Sequence, residues 1–160
     1  MRQSLRTVVV LALGIGVASA AMRAQSADPR LTIADVEKAT GLEGLQVVAP
    51  RSVTGAGPGL NFASADKHMV LMVNFGTAGM YQRAKAQKAG GGLSVPLFHA
   101  DVAGVGDEAF DSPPGTLQYV LYVRKGDKAV SLTAYFVSGN KTTLTMSQLK
   151  QLAAIAVSRM

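Results

Sequence analysis

Few residues in this 160-residue chain have the type and spacing to do chemistry: two histidines, His68 and His99, and one adjacent carboxylate pair, Asp107-Glu108. A metal centre needs three or four ligands around one ion, and no spacing brings the two histidines together. Ordinary surface or strand-end positions are expected for both. Asp107 and Glu108 could hold a cation or serve as acid and base. Neighbours in a strand face opposite sides, which is poor geometry for joint work. The favoured reading is structural, with Asp107 binding backbone amides in a turn and Glu108 facing water.

Other chemistry is excluded more sharply. Gly104-Val105-Gly106 lacks the third glycine of a dinucleotide fingerprint, and Pro113-Pro114 stand where its helix should begin. No serine sits in a G-x-S-x-G elbow, and no third group is evident to orient a histidine. Cysteine is absent, which removes disulfides, thiolate metal sites, a cysteine nucleophile and a lipid-bearing cysteine together. No catalytic residue, metal or cofactor is expected. The binding candidates are Asp107, Glu108, the hairpin-turn cations Arg124, Lys125 and Lys128, and Tyr122. Tyr119 and Tyr122 lie on opposite faces of one strand, so at most one is core and the other is a contact surface.

The elements that must position these residues follow from period and punctuation. Thr32 and Asp35 form a capping box opening a short helix that Gly41 ends. Leu45, Val47 and Ala49 alternate as a strand that breaks at Pro50, with Val53 continuing the alternation beyond it. The glycines at 55, 57 and 59 make a turn. Leu60–Ala65 and His68–Phe75 read as strands across Asp66-Lys67, the second nearly continuously apolar and therefore central. Ala78–Ala89 is a helix with Thr77 as its cap, Met80, Tyr81 and Ala84 inward, and Gly90–Gly92 as its stop. Val95–Val102 is an edge strand, since Pro96 bars it from the middle.

Gly104–Phe110, GVGDEAF, reads as a tight turn and loop that lead into the strongest hairpin, Leu117–Arg124 and Ala129–Val137, around Gly126-Asp127. Ser138–Lys141 is a polar loop. Thr145 and Gln148 form a second capping box for the last helix, with Leu149, Leu152, Ala153 and Ala156 on one face. Strands joined by short turns pair antiparallel. The fold class is therefore α+β: an antiparallel-rich sheet with amphipathic helices packed on it, in the order helix, three strands, helix, strands, C-terminal helix.

The first 20 residues have the pattern of a secretory signal peptide: basic residues, the apolar run Thr7–Val17 and the small-x-small site Ala18-Ser19-Ala20. Cleavage follows Ala20, or alternatively Ser26. Residues 21–30 form a flexible leader and residues 31–160 a single domain. Removing Arg2 and Arg6 from the 16 basic residues leaves 14 against 10 acidic, a net charge of about +4. These cations are scattered and aromatics do not interleave with them, so nucleic-acid binding is not expected. No later stretch could span a bilayer as a helix. The mature protein is expected in the periplasm or the medium.

The segments GVGDEAF, LYVRKGDKAVSL and the C-terminal SQLKQLAAIAVSRM, with the early Thr32–Gly41 helix, resemble a family of small secreted bacterial proteins of unassigned function. Its pattern is G-[LV]-G-D-x-A-F, then a strand ending in R-K-G-[DN], a further strand and an alanine-rich helix. The resemblance implies an exported α/β sandwich of the photosystem PsbP and Mog1 type. Lipoprotein members carry a cysteine after the signal peptide; this chain has none, so lipid anchoring does not carry over.

Residues and resemblance together lead to an exported non-catalytic domain that binds a small ligand or an envelope protein, near the GVGDEAF loop and the charged hairpin turn. One alternative is a hydrolase using Asp107 or Glu108 with His99. Another is an accessory protein that self-associates through the edge at Val95–Val102.

Overall fold

The computed structural model describes residues 28–49, 59–87, 97–112, 118–137, 141–142 and 144–160. The signal-peptide segment, the strand break at Pro50 with Val53, the turn at 54–58, Gly90–Gly92, the start of the Val95–Val102 strand and the prolines at 113–114 lie outside the described residues.

The helices are α1 (Ile33–Thr40), α2 (Ala78–Ala86) and α3 (Met146–Ser158). The strands are β1 (Gln46–Val48), β2 (Leu60–Ala63), β3 (Met69–Thr77), β4 (Ala100–Asp101), β5 (Glu108–Asp111), β6 (Gln118–Lys125), β7 (Lys128–Val137) and β8 (Lys141–Thr142). Seven strands form one sheet in the order β1-β2-β3-β7-β6-β5-β4, every neighbouring pair antiparallel, while β8 pairs with the far end of β7. The fold is α+β, with the expected order of elements.

Its centre follows from composition. β3, β7 and β6 are the longest apolar runs, and β3 returns the first half of the chain to the hairpin by pairing Leu71–Thr77 with Lys128–Ala134. Gly126, at φ +60, occupies the first position of a two-residue hairpin turn, which suits glycine. Alternate residues supply two cores on opposite faces. Leu71, Val73, Leu121, Val123, Val130 and Leu132 pack under α1 and α3, where Val36, Leu149, Leu152, Ala153 and Ala156 are fully buried. On the other face Phe110, Ala129 and Tyr81 form a smaller cluster under α2.

Both capping boxes are present, at Thr32/Asp35 and Thr145/Gln148. Thr77 stands at the N-cap of α2 but makes no side-chain cap bond. The Ala78 N–H donates to the Asp127 carbonyl instead, at 2.7 Å, so the hairpin turn satisfies the helix start. α2 ends at Ala86, before the glycine run, because Gln87 is already extended (φ −66, ψ 112). Glu108–Asp111 is strand rather than loop. Its short run pairs with β6 on one side and β4 on the other, and tertiary pairing makes it a strand that local signals do not announce.

Asp35 does more than close a box. Its carboxylate accepts the Thr32 N–H (2.9 Å) and both terminal nitrogens of Arg159 (2.6 and 3.0 Å), joining the start of α1 to the end of α3. Hydrogen bonds from Arg159 foremost, and also from Thr32, hold this carboxyl well below its ordinary value of 3.8. A depressed carboxyl stabilises the fold fully above its unfolded value and loses that contribution as pH falls toward the folded one. Asp35→Asn should therefore cost about 1–2 kcal/mol at pH 7, kept to the low end because Arg159 is 40% exposed. The gap to wild type should shrink below about pH 4. Urea denaturation at pH 7 and pH 3 checks both statements; a gap that does not change with pH would contradict the assignment.

Candidate functional site

GVGDEAF is built to fasten the β6–β7 turn. Gly104 and Gly106 both lie in the left-handed region, at φ +83 and +63. The chain then enters β5 with the Asp107 N–H bonded to the Arg124 carbonyl at 2.8 Å. The Asp107 carboxylate accepts the Gly126 N–H at 2.7 Å, a turn-to-turn stitch between residues 19 apart. Arg124 lies opposite Glu108 in the β5–β6 register and donates to it at 2.9 Å, with Asp107 at 3.7 Å on its other nitrogen. The two carboxylates therefore meet one guanidinium instead of facing apart. Asp107 precedes the strand, so strand alternation does not apply to it.

This arrangement leaves little for a ligand. Arg124 also donates to the Gly126 carbonyl (3.0 Å), and its charge is compensated locally. Lys125 and Lys128 are exposed, and their ammonium groups have no hydrogen-bond or ion-pair partner among the described residues. Tyr122 is not an exposed contact surface. It is half-buried and stacks on Phe110 with ring centroids 4.6 Å apart, in a cluster with Tyr81 (5.1 Å from Phe110) and Phe98 (5.7 Å). Burial pushes its hydroxyl pKa up. Tyr119 is covered on the opposite face, so each tyrosine has packing partners.

His99 is paired with a different acid from the one expected. Its Nδ1 lies 3.1 Å from Asp111 Oδ1, and the same carboxylate accepts the Ala100 N–H (2.9 Å) and the Tyr119 hydroxyl (2.7 Å). Desolvation first, then the bond to Asp111, drives the Tyr119 pKa up, so this hydroxyl stays a donor. Asp111 is three residues beyond Glu108 in β5, about 10 Å along an antiparallel strand. His99 and the Asp107-Glu108 pair therefore do not form one site. The His68 side chain, largely exposed, meets only Asp66 among the described residues, at 3.3 Å. No group of three potential metal ligands occurs among the described residues.

Two adjoining clefts lie elsewhere, along the inner end of β3. The larger, about 530 Å³, is lined by Asp28, Arg30, Gly59, Leu60, Val73, Asn74 and Phe75. The smaller, about 350 Å³, is lined by Arg30, Phe75, Gly76, Thr77, Lys128, Arg159 and Met160. They share Arg30 and Phe75. The Arg30 guanidinium lies 3.7 Å above the Phe75 ring, a cation–π contact. Asp28 holds it through Nε (2.9 Å) and one terminal nitrogen (2.6 Å).

Of the sequence candidates only Lys128 lines this region. Arg30, the last residue of the leader, is anchored by Asp28 and the Phe75 ring. The signal for that was present: Leu31 precedes the Thr32 cap and Val36 stands at the fourth helical position, both fully buried, the arrangement of a hydrophobic staple. A staple fixes the angle at which the chain enters the helix.

No protein-family model, curated protein or solved structure matches this chain. No helix among the described residues is long and apolar enough to cross a membrane.

Proposed function

We propose that this chain is an exported, non-catalytic domain that binds a small ligand, with a protein of the cell envelope as the other partner class. Export rests on the signal-peptide pattern of its first 20 residues. The observation that carries the ligand reading is the smaller cleft: three cationic side chains and two large apolar ones line it, and none of the described residues lining it is Asp or Glu, although Arg30 and Arg159 are each paired with an aspartate beside it. Such sites combine apolar walls with a few convergent polar groups. The hydrolase reading has less support, since both of its carboxylates are engaged by Arg124 and its histidine by Asp111.

Native mass spectrometry of the mature protein, purified from the envelope fraction of its own cells, tests the reading. A reproducible extra mass on the folded protein, released on denaturation, is the expected result. A bare monomer mass would count against a resident ligand and in favour of protein contact. Pull-down with Arg124, Lys125 and Lys128 replaced would then locate the contact.

A further inference from the structure

Of the two residues the clefts share, Arg30 differs from the cations Lys128 and Arg159 in one respect: it is immobilised with one edge unused. Asp28 occupies Nε and one terminal nitrogen, and the Phe75 ring covers one face of the guanidinium. The other terminal nitrogen has no hydrogen-bond partner among the described residues. An arginine fixed in this way presents donors whose ordering cost is already met, and its planar fork suits carboxylate and phosphate oxygens.

Lys128 lines the same cleft, is exposed, and its ammonium has no hydrogen-bond or ion-pair partner among the described residues. Its flexible ammonium can follow an anion placed by Arg30. Arg159 is different. Both of its terminal nitrogens go to Asp35, and one also reaches the Pro29 carbonyl at 3.3 Å, so its charge is compensated locally and it offers no free fork. Phe75 and Met160 supply large apolar surface beside Gly76 and Thr77, and the larger cleft adds Leu60 and Val73 together with the polar Asp28 and Asn74.

Resting on the binding-domain reading above, we propose that this cleft takes an oxyanion joined to an apolar body, with Arg30 and Lys128 on the head and Phe75 and Met160 against the body. A carboxylate and a phosphate monoester share the required head chemistry. An uncharged analogue forfeits both cationic partners. A dianion gains more from Lys128 than a monoanion does, which separates the two head types.

Calorimetric titration of the mature protein with octanoate, monooctyl phosphate and octanol tests this. Both anions should bind, and octanol at least tenfold more weakly. Arg30→Gln and Lys128→Gln should each weaken the anions roughly ten- to a hundredfold, the usual cost of a lost charge-assisted hydrogen bond. Lys38→Gln, at an exposed position of α1, should change nothing. Tighter octanoate identifies a carboxylate ligand, and tighter octyl phosphate a phosphate monoester. Lys128 is exposed, so its variant should fold normally and remain informative even if Arg30→Gln does not.

Octanol binding as tightly as the anions, or anion affinity unchanged in both variants, would overturn the assignment. So would no binding by any of the three probes. In each case a retained mass on the native protein would still uphold the small-ligand reading, and its absence would separately move that reading to protein contact.

Discussion

Gly106→Ala should leave the protein largely unfolded under conditions where Gly104→Ala remains folded. A Cβ built on Gly106 would lie 2.5 Å from the Arg124 carbonyl oxygen and 2.5 Å from Val123 Cγ1. The first obstacle is backbone in the centre of a three-strand pairing and cannot swing aside. The residue also sits at φ +63, where a side chain costs about 1–2 kcal/mol. Forcing β5 away from β6 adds roughly 1–3 kcal/mol or more, and the displacement lengthens the Asp107–Arg124 backbone bond. A total near 4 kcal/mol is a large part of the about 5–15 kcal/mol that stabilises a domain. Gly104 shares the left-handed backbone, but its Cβ would meet only the end of the Lys150 side chain, at 3.5 Å. Its loss should be about 1 kcal/mol. Urea midpoints for the two variants decide the matter: equal, small losses would mean that the GVGDEAF turn is not the tight junction described above.

That contrast marks where residue types are informative and where they are not. Two glycines in GVG announce a turn, but only the packing of β5 on β6 distinguishes the indispensable one. The capping boxes, the apolar run of β3 and the hairpin were legible because each is a local pattern with a period or a fixed offset. β5 was not legible. Four residues, one exposed and three buried, carry no period, and their strand state comes from partners at Ala100 and at Leu121–Arg124. The clefts were invisible for the same reason. Arg30, Phe75, Lys128 and Arg159 are spread over most of the chain and meet only because β3 pairs with β7 and α3 packs back near α1. Charge density drew attention to Arg124, whose partners in the folded protein leave it the least available of the hairpin cations.

Phe110→Ala should cost about 3–5 kcal/mol, the range for a fully buried aromatic side chain. The ring has no exposed surface and is packed by Tyr81, Phe98 and Tyr122. Their geometries are edge-on, tilted and stacked, so one truncation removes three aromatic contacts along with the area term. The cavity cannot close easily, because Tyr122 is set by β6 and Tyr81 by α2, on two separate elements. Tyr122→Phe keeps the stack and should cost less than about 1 kcal/mol.

Phe110 belongs to the core under α2, while Phe75 of the proposed site packs with the core under α1 and α3. At temperatures where Phe110→Ala is still folded, octanoate affinity should therefore match wild type, since sites this far apart without shared partners behave additively. A loss below about 1 kcal/mol would show that the small core contributes little to the fold. A parallel loss of affinity would show that the two faces of the sheet are coupled, and that GVGDEAF reaches the site through β6 and β7.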